Sequence, residues 1–313
     1  MQYQTILKNF SQHYDSNQLK LFERAYKFTA DAHEGQTRKS GEPYITHALA
    51  VADYLGSHLR MDMNTVVAGL LHDIPEDTPK TLDDIRKNFG GQVEFLVSGI
   101  TKLGKIKLRD QHDSVYIETL MKMFLAMAAD IRVVLIKLAD RRHNLQTLEH
   151  LPKEKQERIA RESLEVYAPI ADRLGMGELK GQLEDLAFPF VYPKDYERLI
   201  ELIKDKYEEM KSYVERVKDI IFKDLETAGI KIDDISGRTK HLYSLYHKLL
   251  RPKYDWDISK IYDLVALRVV VKNLEDCYAS LGVLHAKYLP LPGRIKDYIA
   301  FSKPNGYRSI HTT

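Results

Sequence analysis

The sequence predicts a multi-domain protein: an all-α domain, a helical connector, and an α/β domain that breaks off before it is complete. Three observations carry this reading. Apolar residues recur at helical spacing through about the first 190 positions, β-branched runs bounded by turn residues begin only after Gly229, and 313 residues suit about two domains of ordinary size. The divisions fall at 1–175, 176–227 and 228–313.

In chain order, FERAYKFTADAH places apolar residues at 22, 25, 28 and 32, and Gly35 is positioned to end that helix. Thr46 is placed to cap a helix through ALAVADYL, and Asn64 to cap the apolar run VVAGLL. IRVVLIKLAD and IARESLEVYAPIADRLG continue the pattern. Between Pro193 and Thr227 apolar residues fall at 199, 203, 207, 210, 214, 217, 221 and 225, which predicts one long amphipathic helix stopped by Gly229. Beyond it IKIDDI, LVALRVVVK and DYIAF read as strands, with a helix, KHLYSLYHKLL, between the first two.

Formal net charge is +2, so affinity for phosphates must come from local clusters, and neither DNA nor a membrane surface is favoured as a partner. The one cysteine, Cys277, excludes a disulfide framework and a thiolate zinc site, and it suits a reducing compartment. MQYQTILKNF lacks the basic-then-apolar build of a signal peptide. No apolar run approaches the roughly 20 residues that cross a bilayer. These features predict a soluble cytoplasmic protein.

The run VVAGLL at 66–71 leads straight into His72, Asp73, Glu76 and Asp77. Charge beside a core is costly unless something pairs with it. Pro75 disfavours helix at Ile74, so His72 and Asp73 are expected on a last helical turn, with Glu76 and Asp77 on the bend beyond. A divalent ion over the helix end would satisfy the adjacent His and Asp. His47, near a helix start in TRKSGEPYITH, and Asp140, closing VVLIKLAD, complete a set of two imidazoles and two carboxylates. That set suits Mn, Fe or Zn without choosing between them. Each residue alone has a structural explanation as well: His72 is one of 12 histidines, and Asp140 has Arg141 beside it.

A second grouping lies in GRTKHLYSLYHKLL. Lys240, Ser244 and Lys248 stand at i, i+4 and i+8, with Arg238 at the approach and Leu242, Leu245 and Leu249 opposite. Such a row suits a triphosphate, though taken alone it reads more simply as a solvated basic face.

The order H…HD…D resembles the HD phosphohydrolases. THALAVA, LLHDIPEDT, GITKLGKI and IKLADRRHNLQTL are similar to the hydrolase domain of RelA/SpoT homologues, enzymes that make and destroy the alarmone (p)ppGpp. GRTKHLYSLYHK, IYDLVALRV, LPGRIKDYIA and KPNGYRSIHT carry the resemblance over nearly the whole chain. It implies an all-α HD-type hydrolase domain, the connector, and a truncated nucleotidyltransferase-like synthetase domain. It further implies that His47, His72, Asp73 and Asp140 ligate Mn2+, and that Glu76 and Asp77 form the catalytic acidic pair beside the attacking water. Arg38, Lys39, Ser40, Tyr44, Asn144 and Thr147 match the residues that hold the guanine nucleotide.

In the synthetase half the resemblance implies ATP on Arg238, Lys240, Ser244 and Lys248, and Mg2+ on Asp263. Tyr307, with Lys303, Asn305 and His311, matches the pocket for the acceptor GDP or GTP. Lys296 belongs to RIKD, the basic form of a motif that accompanies bifunctional relatives. The activity implied is removal of the 3′-pyrophosphate from ppGpp or pppGpp, the parent protein also making these from ATP and GDP or GTP. A second catalytic Glu, and regulatory regions that meet the ribosome, are expected beyond Thr313. Pro75 and Gln146 depart from the family pattern. Two rival readings stand beside this one: an HD enzyme acting on another nucleotide, and a non-catalytic nucleotide sensor.

Overall fold

The computed structural model describes residues 2–105, 121, 123, 125, 128–261, 264–303 and 306–313. The chain forms two units, Met1–Val191 and Tyr192–Thr313. In the first, the described residues form helices and one isolated bridge, between Thr37 and Pro43. Its α-helices include α1 (Gln2–Phe10), α2 (Ser16–Ala32), α3 (Ile45–Asp53), α4 (Met63–Leu71), α5 (Ile74–Asp77), α6 (Leu82–Phe89), α7 (Gly91–Lys105), α8 (Ile131–Gln146), α9 (Lys153–Glu162), α10 (Ala168–Arg173) and α11 (Gly177–Val191).

Helix α4 is the centre of this unit. Every residue of MNTVVAGLL except Asn64 is buried, and α2, α3, α7 and α8 pack around it. A helix apolar on all sides belongs inside a core, and burying each Leu or Val there contributes about 1.5–3 kcal/mol. The core therefore fixes where the last turn of α4 ends, and with it His72 and Asp73. Helix α11 packs against α8, α9 and α10 as part of the same unit.

The caps differ from expectation. Asp62, not Asn64, caps α4, its Oδ1 accepting from the Thr65 amide at 3.2 Å. Helix α3 begins at Ile45 with Tyr44 as its cap, and the Thr46 hydroxyl donates to the Pro43 carbonyl instead. Pro75 also behaves differently. It stands in the first turn of α5, where its missing N–H has no helical partner to lose. The Glu76 and Asp77 amides both donate to the Asp73 carbonyl, at 3.1 and 2.9 Å, so the expected bend is a helical turn that includes Ile74.

The second unit contains α12 (Pro193–Thr227), β1 (Ile232–Thr239), α13 (Leu242–Leu249), β2 (Val265–Val271), α14 (Leu274–Lys287), β3 (Lys296–Asp297) and β4 (Ile310–His311). Helix α12 ends as its sequence predicts. Gly229 adopts φ +78, its amide donates to Glu226, and the Ile230 amide donates back to Leu225. Ile221, Leu225 and Ile230 then pack with Ile235, Leu267 and Val269 of the antiparallel β1–β2 pair. Gly237 permits α12 to lie this close, since a Cβ there would stand 2.2 Å from the Val214 side chain.

Two readings of this unit need correction. Lys240 precedes α13, which starts at Leu242, so it lies off the helical row, and its amide bonds the Leu264 carbonyl at 2.8 Å. Of DYIAF only Asp297 is in a strand. Its carboxylate accepts the Ile299 and Ala300 amides, both at 2.8 Å, and that local bonding turns the chain.

Candidate metal centre and nucleotide cavity

The end of α4 delivers His72 and Asp73 to a single point. The His72 Nδ1 donates to the Gly69 carbonyl at 2.8 Å. A carbonyl only accepts, so a hydrogen is on Nδ1, and the ring, once it gives up its second proton, turns the lone pair of Nε2 outward. That Nε2 is fully buried without a hydrogen bond, with Asp73 Oδ1 at 3.1 Å and Asp140 Oδ1 at 3.7 Å. From α3, the Nε2 of His47 stands 3.4 Å from Asp73 Oδ2 and 3.4 Å from Asp140 Oδ1. His47, His72 and Asp73 offer ligand atoms within 4.8 Å of one another, and Asp140 reaches them from α8.

The electrostatics fit an ion. Burial opposes charge on both carboxylates, yet His72 for Asp73 and Lys137 for Asp140 hold them well below the usual carboxylate range. Burial likewise opposes charge on His72, but Asp73 and Asp140 push the imidazole up to about 10. The site thus gathers positive charge to balance two buried anions. A divalent cation supplies that charge and satisfies the orphaned Nε2, and this nitrogen–oxygen donor set suits one.

Beside these residues lies a cavity of about 520 Å³. Arg38, Lys39, Ser40, Tyr44, Asn144 and Thr147 all line it, together with Asp140. The loop RKSGEPY is closed by the Thr37–Pro43 bridge, the Arg38 amide donating to the Glu42 carbonyl at 2.8 Å, and Gly41 turns it at φ +84. Arg38 reaches α8, donating to Asn144 Oδ1 at 2.6 Å and to Thr147 Oγ1 at 3.2 Å. The Ser40 hydroxyl is buried without a partner. The Tyr44 ring stacks on His33 at 4.4 Å, and its hydroxyl lies 2.7 Å from both Asp73 Oδ2 and Asp77 Oδ2. Glu76 and Asp77 are exposed on α5, and Gln146 is exposed at the end of α8.

Sequence reasoning missed Lys137, Arg141, His143 and Arg158. Lys137, Arg141 and Arg158 also line the cavity, and His143 bonds His47. A signal was available: Lys137, Asp140, His143, Asn144 and Thr147 share one face of α8 at helical spacing. Arg141 is held from behind by Glu162 at 2.9 Å and lies 4.1 Å over the Tyr167 ring.

In the second unit, Lys303, Tyr307 and His311 come together. The Tyr307 hydroxyl lies 3.0 Å from His311 Nε2, and the Lys303 ammonium sits 5.3 Å over the Tyr307 ring. Tyr298, unmarked by sequence, joins them, 4.5 Å below the same ammonium. Lys296 pairs with His311 in the β3–β4 ladder. Ser244 and Lys248 remain one turn apart on α13, with Lys248 over the Tyr254 ring at 5.4 Å. The backbone of Arg238 pairs with Ala266 in β1–β2. Asp263 and Asn305 lie outside the described residues.

Residues 25–177 match the HD domain, and residues 237–313 match the region found in RelA/SpoT proteins. Over 299 residues the chain is 49% identical to a GTP pyrophosphokinase of Streptomyces coelicolor, covering 96% of this chain and 34% of that protein. It is 46% identical over 297 residues to the bifunctional (p)ppGpp synthase/hydrolase SpoT of Escherichia coli, covering 95% and 42%. The chain belongs to the RelA/SpoT family. A solved structure of a metazoan SpoT orthologue that hydrolyses ppGpp is 27% identical, covering 55% of this chain and 95% of that one at a TM-score of 0.43. This RelA/SpoT chain spans 34% and 42% of the length of the two curated relatives. Its helical first unit holds the HD domain, and its second unit, with two small two-stranded sheets among the described residues, carries the RelA/SpoT region. Among the described residues no helix is long and apolar enough to cross a membrane.

Proposed function

We propose that the chain is a Mn2+-dependent (p)ppGpp 3′-pyrophosphohydrolase, acting on ppGpp or pppGpp to give GDP or GTP and pyrophosphate. One observation carries this reading: the orphaned Nε2 of His72 converges with His47, Asp73 and Asp140 at the wall of a cationic cavity. His47, His72, Asp73 and Asp140 would hold the ion, which when bound supplies an acidified water and polarises a phosphoryl oxygen. Glu76 and Asp77, exposed on α5 beside the site, manage protons: one accepts from the attacking water, and the departing 3′-oxygen gains one. The Tyr44 hydroxyl is pushed above the ordinary tyrosine range by burial and by the Asp73 charge, so it stays protonated and bridges Asp73 to Asp77.

Lys39, Ser40, Asn144 and Thr147 bind the nucleotide, and Arg38 presents a guanidinium plane that can stack on guanine. Lys137, Arg141 and Arg158 add charge suited to a polyphosphate. The test is incubation of the chain with ppGpp and Mn2+ followed by nucleotide separation. GDP is expected, abolished by chelator and by His72→Ala. Turnover of dGTP or a cyclic dinucleotide in place of ppGpp would favour another HD activity. Tight binding without turnover would favour a sensor.

For the longer protein typical of the family, synthesis by pyrophosphate transfer from ATP to GDP or GTP is the companion activity. In that reading Arg238, Lys240, Ser244 and Lys248 bind ATP, Asp263 holds Mg2+, and Lys296, Lys303, Asn305, Tyr307 and His311 serve the acceptor. Support comes from the match of 237–313 to the RelA/SpoT region and from the contacts among Lys303, Tyr307 and His311. The functional divisions are 1–175 for hydrolysis, 176–227 as connector and 228–313 within the synthetase. A cytoplasmic location, and ribosome contact through other regions, complete the reading.

A further inference from the structure

We infer that His143 is a positioning residue that fixes His47 as an Nε2 ligand and ties that ligand to Arg38 of the nucleotide loop. The inference rests on the metal reading of the first unit and goes beyond it. Three side chains meet at one atom. The His143 Nδ1 lies 2.8 Å from the Nδ1 of His47 and 3.1 Å from the Nη1 of Arg38. A guanidinium only donates, so Nδ1 of His143 is an acceptor, with its hydrogen on Nε2. The same Nδ1 therefore cannot donate to His47. The hydrogen of that second bond belongs to Nδ1 of His47, and the lone pair of His47 is left on Nε2.

That Nε2 is the atom facing Asp73 and Asp140 at 3.4 Å from each. Arg38, whose charge is permanent, thus determines the tautomer of His143, and His143 determines that of His47. Ligating imidazoles commonly donate their second nitrogen to a carboxylate or carbonyl, and here another imidazole takes that place. The arrangement adds a competition. An imidazole nitrogen has one lone pair, and two donors share this one. Drawing Arg38 toward a bound nucleotide would leave the lone pair to His47 and strengthen its hold on the ring. A parallel link runs from Arg38 to Asn144 at 2.6 Å and from Asn144 to Asp140 at 2.5 Å. The two links join the nucleotide loop to ligands on α3 and α8, so metal and nucleotide are expected to favour each other reciprocally.

The test is calorimetric titration of the full chain with Mn2+, alongside thermal unfolding in chelator. His143→Leu, which removes the acceptor, should weaken Mn2+ binding about 10–100-fold. His143→Asn places a side-chain oxygen near the former Nδ1 and should stay within a few-fold of the unaltered chain. Arg38→Ala removes the donor that sets the His143 tautomer but also the competitor for its lone pair, so it should weaken Mn2+ binding clearly less than His143→Leu does. Unchanged affinity in His143→Leu, or equal loss in His143→Asn and His143→Leu at equal chelator stability, would overturn the inference. Binding in Arg38→Ala as weak as in His143→Leu would overturn the competition. An unaltered chain that takes up no Mn2+ would instead remove the metal reading, and the inference with it.

Discussion

The Lys137 ammonium donates to Oδ2 of Asp140 at 2.7 Å, one turn along α8, with only 25% of the Lys137 side chain and 5% of the Asp140 side chain exposed. The pair leaves Oδ1 of Asp140 to face His47 and His72. Breaking a buried ion pair by removing one partner costs about 3–5 kcal/mol, because the other charge is stranded. Lys137→Met should therefore lower unfolding stability by about 3 kcal/mol in chelator. With Mn2+ saturating, the ion neutralises Asp140 and the deficit should shrink. Urea unfolding in the two buffers measures this, and equal deficits would assign Lys137 a packing role only.

The pH dependence of the metal-free protein follows from two histidines moved in opposite directions. Burial first, then the neighbouring His47 and Arg38, push His143 down to about 3, so it folds neutral. Between about 6.5 and 3 the unfolded chain binds a proton there that the folded chain refuses, and stability falls as pH falls. His72 is pushed up to about 10, so the folded chain retains a proton that the unfolded chain loses above about 6.5, and stability falls as pH rises toward 10. Metal-free stability should peak near pH 6.5. Mn2+ displaces the His72 proton, so the alkaline decline should flatten in its presence. A thermal-shift series from pH 5 to 9, with and without Mn2+, checks both arms.

Ligands and proton carriers separate by substitution. Glu76→Gln and Asp77→Asn should keep Mn2+ affinity and cut ppGpp turnover by about 10²-fold or more. Loss of the metal in either variant would move that residue into the ligand set.

What the sequence made legible follows a physical line. His72 and Asp73 stood out because charge next to VVAGLL needs a partner, and α4 does deliver them from the buried core, while His47 and Asp140 were added from a helix start and from the end of another apolar run. The long helix to Thr227 was legible because its apolar period and its terminal glycine agree. Caps were less so: Asp62 and Asn64 are both capping types, and the choice depends on where packing starts the helix. His143 and Lys137 stayed hidden because their neighbours come from α3 and from the next turn of α8, contacts that a linear reading does not rank. DYIAF failed because the bonds of one aspartate outweighed the strand preference of four residues.

The first unit also makes a packing prediction. A Cβ on Gly56 would stand 2.4 Å from Cζ of Phe10, a fully buried ring set edge-on to Phe22 and Tyr14. That ring cannot move aside freely, so Gly56→Ala should cost about 1–3 kcal/mol by overpacking. Mn2+ affinity should be unchanged. A Tm equal to that of the unaltered chain would mean that α1 shifts to make room.

Tyr44 separates the architecture of the site from its chemistry. Its ring is held by the stack on His33, and its hydroxyl has one proton for two carboxylate oxygens at 2.7 Å. Tyr44→Phe keeps the ring and removes the bridge, leaving Asp73 and Asp77 to repel each other. A hydrogen bond to a charged group contributes about 1.5–3 kcal/mol, so kcat for ppGpp should fall roughly 10–100-fold if the bridge holds Asp77 in its working position. Mn2+ binding should weaken far less, because His47, His72 and Asp140 do not depend on the hydroxyl. Tyr44→Ala loses the stack as well and should add about 1 kcal/mol of instability. The decisive comparison is therefore Tyr44→Phe, with kcat measured beside Mn2+ affinity. A fall in kcat at preserved metal affinity assigns the hydroxyl to proton handling through Asp77. Parallel losses would mean that it serves Asp73 as a ligand, and an unchanged kcat would show that Asp77 finds its place without it.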